Sequence, residues 1–225
     1  MISIVIPTLN DNDALLTLLT VFQPVRTESH EIIVVSGGVS ELPETIVDLT
    51  DVCLTSKAGR AMQMNLGADH ASGEIIWFLH ADSQFSVDEC LAGILSLSEG
   101  NLIWGRFDIR LSSEDWRFRV IEKMMNMRSR LTGIATGDQG VFVERKVFQK
   151  IGGYNDIALM EDVQLSKDLK KISAPLLLKQ RITTSSRRWQ KNGMFRTVLL
   201  MWFLRFAYFI GISPLKLSKF YKTCN

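Results

Sequence analysis

The first hundred residues alternate short apolar runs with helical patterns, and this alternation limits the possible folds more than any other feature. Runs rich in β-branched residues are typical of strands, and they occupy Ser3–Ile6, Glu31–Val35, Val52–Thr55 and Ile75–Leu79. The helical patterns between them are Asp13–Phe22, Leu42–Leu49 and Gly59–Ala71. Short continuous apolar strands joined by helices are typical of a parallel sheet covered on both faces. The sequence therefore predicts an α/β fold.

Polar segments follow three of the predicted strands, at Pro7–Asn10, Ser36–Gly38 and His80–Ser83. In open α/β sheets, ligands bind at the carboxyl ends of the strands. We therefore expect these three segments to converge on one crevice.

The second half of the chain has longer elements. Two strands are predicted at Leu102–Leu111 and Gly140–Glu144, and two helices at Asp115–Leu131 and Asp162–Lys171. No repeat, low-complexity tract or linker separates the halves. We therefore predict a single domain over residues 1–225, with internal divisions at 1–100, 101–193 and 194–225.

The most apolar stretch is Phe195–Ile212, which Arg196 and Arg205 interrupt. A membrane-spanning helix needs about 20 apolar residues, and an arginine near its centre costs ~2.5–3.5 kcal/mol. The pattern favours a helix packed on the domain or lying in a membrane surface, and both interpretations stay open. A helix that is apolar nearly all round also predicts burial on more than one side.

Composition and charge exclude several classes. The chain is 46% hydrophobic and 22% charged, which is typical of a globular core, and its net charge of +2 argues against nucleic acid as a partner. Three distant cysteines, Cys53, Cys90 and Cys224, show no metal or redox spacing. We expect reduced thiols, no signal peptide before the first strand, and a cytoplasmic protein.

Acidic residues at two places have a catalytic and a structural interpretation. Asp82 follows a buried strand, so it could bind Mg²⁺ or Mn²⁺, or it could complement the dipole of the next helix. His80 beside it could support such a ligand or be a hydrogen-bonded structural residue. The pair Glu161-Asp162 opens a helix, where it could supply a general base or only stabilise the first turn.

Three basic or polar segments also have both a functional and a structural interpretation. Arg60, at a helix start, could bind phosphate or be solvated. The loop Gly137–Gly140 could be a site or a turn. Arg187-Arg188-Trp189 fits a diphosphate and a sugar platform, or two exposed arginines beside a packed tryptophan.

Taken as a set, these segments resemble family 2 glycosyltransferases of the GT-A fold. The motifs are GRAxQMNxGA, FLHADS, GDQGxFV, IGGY and MEDV, and the match runs from Ile4 to about Trp189. They are most similar to a short bacterial branch of the family. The resemblance implies a Rossmann-like nucleotide-sugar-binding half over 1–100, an acceptor half over 101–193 and a C-terminal helical segment over 194–225. It also implies inverting transfer of a sugar from a nucleotide-sugar to a hydroxyl.

The resemblance assigns roles to particular residues. Asp162 matches the catalytic base, with Glu161 beside it, and Asp82 matches the last aspartate of the metal-binding motif, with Mn²⁺ or Mg²⁺ as the implied cofactor. His80 replaces the first aspartate of that motif, which we interpret as tuning of the metal site. The implied nucleotide-sugar-binding residues are Pro7, Thr8, Asn10, Ser36, Arg60, Asn65, Ala81, Asp82 and Arg188. The implied acceptor-binding residues are Asp138, Gln139 and Trp189.

Two departures bear on the substrate. Ser36 stands where the family usually has an aspartate that recognises the base, so the donor is open between UDP-sugars and other nucleoside diphosphate sugars. Ser185 replaces the glutamine that opens the processive motif, so processivity is not implied.

Other functions and contacts are left open. Ser36 and His80 also suit a protein that binds a nucleotide-sugar without turnover. A nucleotidyltransferase is disfavoured, because Pro7–Asp13 lacks the expected glycines and basic residues. The sequence also leaves three contacts open. They are a lipid-linked acceptor, a peripheral contact with the inner face of the plasma membrane, and a homodimer.

Overall fold

The computed structural model describes residues 1–25, 29–38, 42–97 and 103–224, so Leu102, the predicted start of a strand, lies outside the described residues. The described strands are β1 (Ile2–Thr8), β2 (His30–Ser36), β3 (Val52–Thr55), β4 (Ile75–Phe78), β5 (Trp104–Leu111), β6 (Phe142–Glu144) and β7 (Leu176–Thr184). The described α-helices are α1 (Asn12–Phe22), α2 (Glu44–Val47), α3 (Arg60–His70), α4 (Val87–Leu95), α5 (Trp116–Thr132), α6 (Arg145–Lys150), α7 (Glu161–Lys170), α8 (Arg187–Asn192), α9 (Met194–Phe209) and α10 (Pro214–Cys224). Short 3₁₀ turns occupy Gln23–Val25 and Gly137–Gln139.

The described strands form one sheet in the order β3-β2-β1-β4-β6-β5-β7. Its pairs are parallel except those made by β6, which runs antiparallel to β4 and to β5. The predicted α/β fold with a mostly parallel sheet is therefore confirmed. The sheet also sets up the site, because Thr8, Ser36 and Thr55 are in register at the ends of β1, β2 and β3.

Both faces of the sheet are buried, which explains the continuous apolar runs of the strands. Ile4 and Ile6 of β1 point into one apolar cluster, which contains Leu15 of α1. Val5 points into the cluster on the opposite face, which contains Met64 of α3. Because successive side chains of a strand alternate between faces, each face of β1 packs against a different helix.

Two elements differ from the sequence-based expectation. Strand β7 pairs with β5 at the edge of the sheet, and its apolar run is interrupted by Lys179 and Arg181, which hide the strand signal. Charged residues are common on edge strands because they block further pairing. Helix α2 is also shorter than predicted, since it begins after Pro43 and ends at Val47.

Helix α9 is buried on one side only, so the expectation of burial on more than one side is wrong. Leu204 and Ala207 are buried, whereas a stripe of large apolar side chains is exposed. The stripe consists of Phe195, Leu199, Trp202, Phe203, Phe206, Phe209 and Ile210. Among the residues that the structure describes, we find no helix with the length and apolar character needed to cross a membrane.

Candidate active site

The ends of β1 and β2 are held together by Gln63 of α3. Its Nε2 donates to the carbonyl oxygens of Thr8 and Val35, both at 2.8 Å. Gln63 is buried, although it is absent from the predicted site residues. The sequence could have indicated Gln63, because this polar residue lies on the same face of α3 as Met64 and Gly67, which pack on the sheet. The hydroxyl of Thr8 is shielded from solvent at this edge and has no hydrogen-bond partner among the described residues.

Other first-loop residues lie at the same edge. Asn10 follows β1 in the left-handed region, at φ 56°, a conformation that asparagine accepts more readily than most residues. Ser36 is buried at the end of β2, and its Oγ accepts a long hydrogen bond of 3.4 Å from the Gly38 N–H.

Helix α7 begins with the predicted catalytic pair. Met160, just before it, is buried and has φ 72°, which is strained for a residue with a side chain. Asp162 Oδ2 accepts from the N–H of Gly137 at 2.9 Å, and Oδ1 accepts from the N–H of Val163 at 2.7 Å. Each carboxylate oxygen of Asp162 therefore has one fixed donor, which sets its orientation.

Glu161 is the buried member of the pair. Its Oε1 lies 3.7 Å from Nη1 of Arg60, whose side chain is half exposed. Burial raises the pKa of Glu161, the charge of Asp162 raises it further, and Arg60 partly offsets both effects. Arg60 and Glu161 line a cavity of about 480 Å³ together with residues 156–158 and 213–215.

The loop before β6 carries Asp138, which pairs with His80 close to Asp162. Nδ1 of His80 lies 3.2 Å from Oδ1 of Asp138, and the imidazole packs against Gly137. A Cβ built on Gly137 would lie 2.6 Å from Nε2 of His80, so the contact requires glycine. Nε2 is shielded from solvent and has no hydrogen-bond partner among the described residues.

Asp82 lies at a different cavity, of about 230 Å³. The lining residues come from α1, the loop after β4, the ends of β5 and β7, and the start of α8; among them are Asp13, Ala81, Asp82, Ser112, Thr184 and Arg187. Ala81 is buried and Asp82 is half-buried. The structure thus brings Arg60, His80, Asp138, Glu161 and Asp162 together, with Asp82 close to His80 in the chain.

The fit of a divalent cation differs between the two predicted ligands. Asp82 offers carboxylate oxygens to a cavity, which suits Mg²⁺ or Mn²⁺. His80 does not fit, because Nδ1 faces Asp138 and Nε2 faces the Gly137 backbone. Within the described ranges, no cluster of three His, Cys, Asp or Glu side chains could hold a metal ion. Asp82 alone would therefore need oxygens from a bound ligand.

Gln139, one of the predicted acceptor-binding residues, is engaged by the protein itself. It is completely buried, and its Oε1 accepts from the Thr136 N–H at 3.1 Å while Nε2 donates to the Phe107 carbonyl at 3.3 Å. These bonds stabilise the turn that carries Asp138. The acceptor contact of Gln139 stays a prediction.

Asn65 also has a structural partner. Its Nδ2 donates to the Tyr154 carbonyl, and its Oδ1 accepts from the Tyr154 N–H, both at 2.8 Å. Asn65 thereby fixes the turn Gly152-Gly153-Tyr154 against α3. Its contact with a nucleotide stays a prediction.

The arginine-tryptophan pair lies in α8. Trp189 packs on the apolar cluster of Leu111, Phe118 and Ile121, so much of its ring is engaged by the protein. The side chain of Arg188 lies outside the described part of the structure.

Comparison with known proteins identifies the family. The model of glycosyl transferase family 2 matches residues 3–152, and the chain therefore belongs to this family, as the motifs predicted. A comparison with curated proteins gives no significant match.

Solved structures of two proteins share the fold. The mannosyltransferase PcManGT from Pyrobaculum calidifontis, in complex with GDP-Man and Mn²⁺, is 17% identical with a TM-score of 0.61, over 81% of this chain and 56% of that chain. TarS 1-349 of S. aureus is 15% identical with a TM-score of 0.63, over 89% of this chain and 63% of that chain. The same S. aureus protein in complex with UDP-GlcNAc has a TM-score of 0.62 at 15% identity, over 82% of this chain and 58% of that chain. This chain thus spans less than two thirds of the length of each.

Proposed function

We propose that this protein is an inverting glycosyltransferase in which Asp162 is the general base. The observation that carries the proposal is the fixed Asp162 carboxylate, which the Gly137 N–H orients beside Arg60, His80 and Asp138. Membership of glycosyl transferase family 2 supports the reaction class. The mannosyltransferase and TarS structures with GDP-Man and UDP-GlcNAc support a nucleotide-sugar donor.

The chemistry follows from the position of Asp162. The acceptor hydroxyl gives its proton to the Asp162 carboxylate while its oxygen attacks the anomeric carbon. The bond between that carbon and the diphosphate oxygen breaks, and the nucleoside diphosphate leaves from the opposite face. A positioned general base typically contributes about 10²–10⁴-fold to the rate.

Glu161 has a different role in this proposal. Glu161 is buried, and its carboxylate faces Arg60 at 3.7 Å, so we assign it to Arg60 and not to the acceptor hydroxyl. It holds Arg60 at the cavity, and the half-exposed guanidinium is then available to a phosphate. We assign the donor diphosphate to Arg60 and Arg188.

The nucleoside is assigned to the edge formed by β1 and β2. Pro7, Thr8, Asn10 and Ser36 lie there, and the buried Thr8 hydroxyl has no hydrogen-bond partner among the described residues. Ser36 cannot supply the carboxylate that many relatives use for the base, so we leave the nucleotide open between UDP and GDP.

A divalent metal, Mn²⁺ or Mg²⁺, is part of the proposal. Asp82 would hold it together with diphosphate oxygens, with Ala81 as a backbone neighbour. Such an ion neutralises charge on the departing diphosphate. The proposed role of His80 is to position Asp138 and Gly137 rather than to bind the ion.

The acceptor and the membrane contact form the remaining part of the proposal. Asp138 and Trp189 are assigned to the acceptor half, over 101–193, and the segment 194–225 to contact with an anionic membrane surface. No Asp or Glu follows Asp168 in the sequence, whereas Lys and Arg continue to Lys222. Exposed lysines of α10 accompany the apolar stripe of α9, and this combination is typical of helices that rest on anionic lipid. A lipid-linked alcohol acceptor fits this placement.

The test is donor turnover by the full chain. UDP- and GDP-sugars are incubated with Mn²⁺, and release of the nucleoside diphosphate is followed for wild type, Asp162→Asn and Asp168→Asn. Asp168 is a matched control because it lies on the same helix, where it pairs with Lys171. We expect loss of turnover only in Asp162→Asn, with donor binding retained.

The same assay addresses the alternative, a protein that binds a nucleotide-sugar without turnover. Donor binding by wild type with no release of nucleoside diphosphate, for any donor and with detergent-dispersed alcohols present, would favour that alternative. Normal turnover by Asp162→Asn would reject Asp162 as the base.

A further inference from the structure

Helices α5 and α9 contribute side chains to one apolar cluster, and the seam between them changes from apolar to cationic. The facing stripe of α5 contains Ile121, Met125 and Arg128, and that of α9 contains Met194, Val198, Met201 and Arg205. Four of these side chains, Ile121, Met125, Met194 and Val198, belong to one apolar cluster. Since residues spaced by three or four lie on one side of a helix, Arg128 and Arg205 continue the same seam beyond that cluster.

The cationic end of the seam lies beside the proposed base. Leu204 and Ala207, on either side of Arg205, pack with Met160 and Val163, which flank the pair at the start of α7. The hydroxyl of Tyr208 on α9 donates to Oε1 of Gln164 on α7 at 2.6 Å, which docks the two helices. The charge of Asp162 acts on both guanidinium groups.

Asp162 acts electrostatically on both arginines and Asp138 acts on Arg205, but neither arginine forms an ion pair among the described residues. Nε and Nη2 of Arg128 and Nε of Arg205 are shielded from solvent and form no hydrogen bond among the described residues. Burial lowers the pKa of Arg128 to about 10, and the charge of Arg205 contributes to this shift, while burial also lowers the pKa of Arg205. With a pKa of about 10, Arg128 still carries a positive charge at neutral pH. Buried charges without a hydrogen-bonding partner are costly, so this arrangement suits an anionic ligand.

Asp162 does not fill this need. Its two oxygens accept from the Gly137 and Val163 N–H groups, and no ion pair joins it to either arginine within the described residues. A phosphate supplies several acceptor oxygens to the planar donors of two guanidinium groups, which is the geometry that arginine binds best.

We propose that Arg128 and Arg205 bind a phosphate group carried by the acceptor, so that the substrate class is a phosphorylated alcohol. This inference rests on the proposed transferase function. Arg128 and Arg205 lie on α5 and α9, outside the half that carries the nucleotide edge at Thr8 and Ser36. A phosphate held there places a neighbouring hydroxyl of the same molecule at Asp162.

The experiment measures anion binding directly, without donor or turnover. Inorganic phosphate, octyl phosphate and octanol are titrated calorimetrically into the full chain and into Arg128→Gln and Arg205→Gln. Arg117→Gln is the matched control, because Arg117 is an exposed arginine of the same helix α5. We expect affinity for the two phosphates to fall roughly tenfold or more in each site variant, with the control unchanged. Octanol should show no such dependence.

The three ligands also distinguish the source of the phosphate. Much tighter binding of octyl phosphate than of inorganic phosphate assigns the group to an amphiphile, and equal binding assigns it to a water-soluble ester. Absent phosphate binding, or binding that is unchanged in both site variants, overturns the proposal. If Arg205→Gln does not fold, Arg128→Gln decides the matter by itself.

A second titration separates acceptor from donor. If UDP or GDP displaces octyl phosphate and loses affinity in the same two variants, the arginines serve the donor diphosphate and the proposal is wrong. Asp162→Asn should keep phosphate binding. Failure of the transferase proposal in the turnover assay would therefore leave this result intact, and failure here would leave Asp162 as the proposed base.

Discussion

Gly137 and Asp162 are joined by a hydrogen bond of 2.9 Å from the backbone N–H to the carboxylate, and the imidazole of His80 packs where a side chain of residue 137 would lie. One residue without a side chain therefore sets the distance between the loop that carries Asp138 and the proposed base. A residue of any larger size must displace His80, the Asp162 hydrogen bond or both.

Gly137→Ala should lower kcat by about 10²-fold, because displacement of a catalytic group by about 1 Å can cost that much. The built Cβ would lie 2.6 Å from Nε2 of His80. Steady-state kinetics of the variant and of His80→Ala/Gly137→Ala make the test, since removal of the imidazole relieves the clash and should recover part of the activity.

Gly152→Ala is the control for backbone strain. Gly152 has φ +81° and no heavy atom within 4 Å of a built Cβ, so alanine there is strained without a clash. We expect lower stability with nearly unchanged kcat. Normal kcat in Gly137→Ala would show that the His80 contact does not position the base.

Asp82→Ala should remove the effect of metal on nucleotide binding. One carboxylate is too few ligands for a complete coordination shell, so the ion should bind weakly until a diphosphate adds oxygens. Calorimetric titration of UDP and GDP with and without Mn²⁺ checks this, with Asp69→Ala on the exposed side of α3 as the control. Equal nucleotide affinity with and without Mn²⁺ in wild type would contradict the metal site.

Glu161→Gln should flatten the pH dependence of stability. Burial and the charge of Asp162 raise the pKa of Glu161 above its ordinary 4.5, so the folded protein holds this proton to a higher pH than the unfolded chain. The stability that Glu161 contributes is therefore full below pH 4.5 and is lost as the pH rises through the raised pKa. Glutamine cannot ionise, so this loss should disappear.

The measurement is the free energy of unfolding in urea between pH 4 and about 8, with exposed Glu114→Gln as the control. We expect the curve of Glu161→Gln to fall less steeply over this range than those of wild type and control. Parallel curves for all three proteins would mean that Arg60 compensates the burial of Glu161 completely.

The sequence was sufficient for β1, β2 and β4 and for their ends, because burial on both faces leaves continuous apolar runs before Thr8, Ser36 and His80. It was insufficient for β7, whose charged residues hide the strand signal. It was also insufficient where contacts join distant elements. Arg128 and Arg205 have ordinary helical surroundings in the sequence, and only the clusters that join α5 to α9 and α9 to the start of α7 bring them within the influence of Asp162. Gln139 is polar and lies in a polar loop, which predicts exposure. In the structure it is buried, and its side-chain oxygen accepts a hydrogen bond from the Thr136 N–H.

Substitutions in the exposed stripe of α9 test the proposed membrane contact. Phe206 is 64% exposed, and neighbouring Phe209 lies on the same stripe. Removing two large side chains from an apolar surface and adding two negative charges weakens both parts of an interfacial attachment, the burial of apolar area and the attraction to anionic lipid. Phe206→Glu/Phe209→Glu should therefore lose co-sedimentation with vesicles of anionic phospholipid. Leu95→Glu on α4, where the leucine is 56% exposed, should sediment as wild type does. Wild-type protein that stays in the supernatant with these vesicles would remove the support for a membrane contact and, with it, the support for a lipid-linked acceptor.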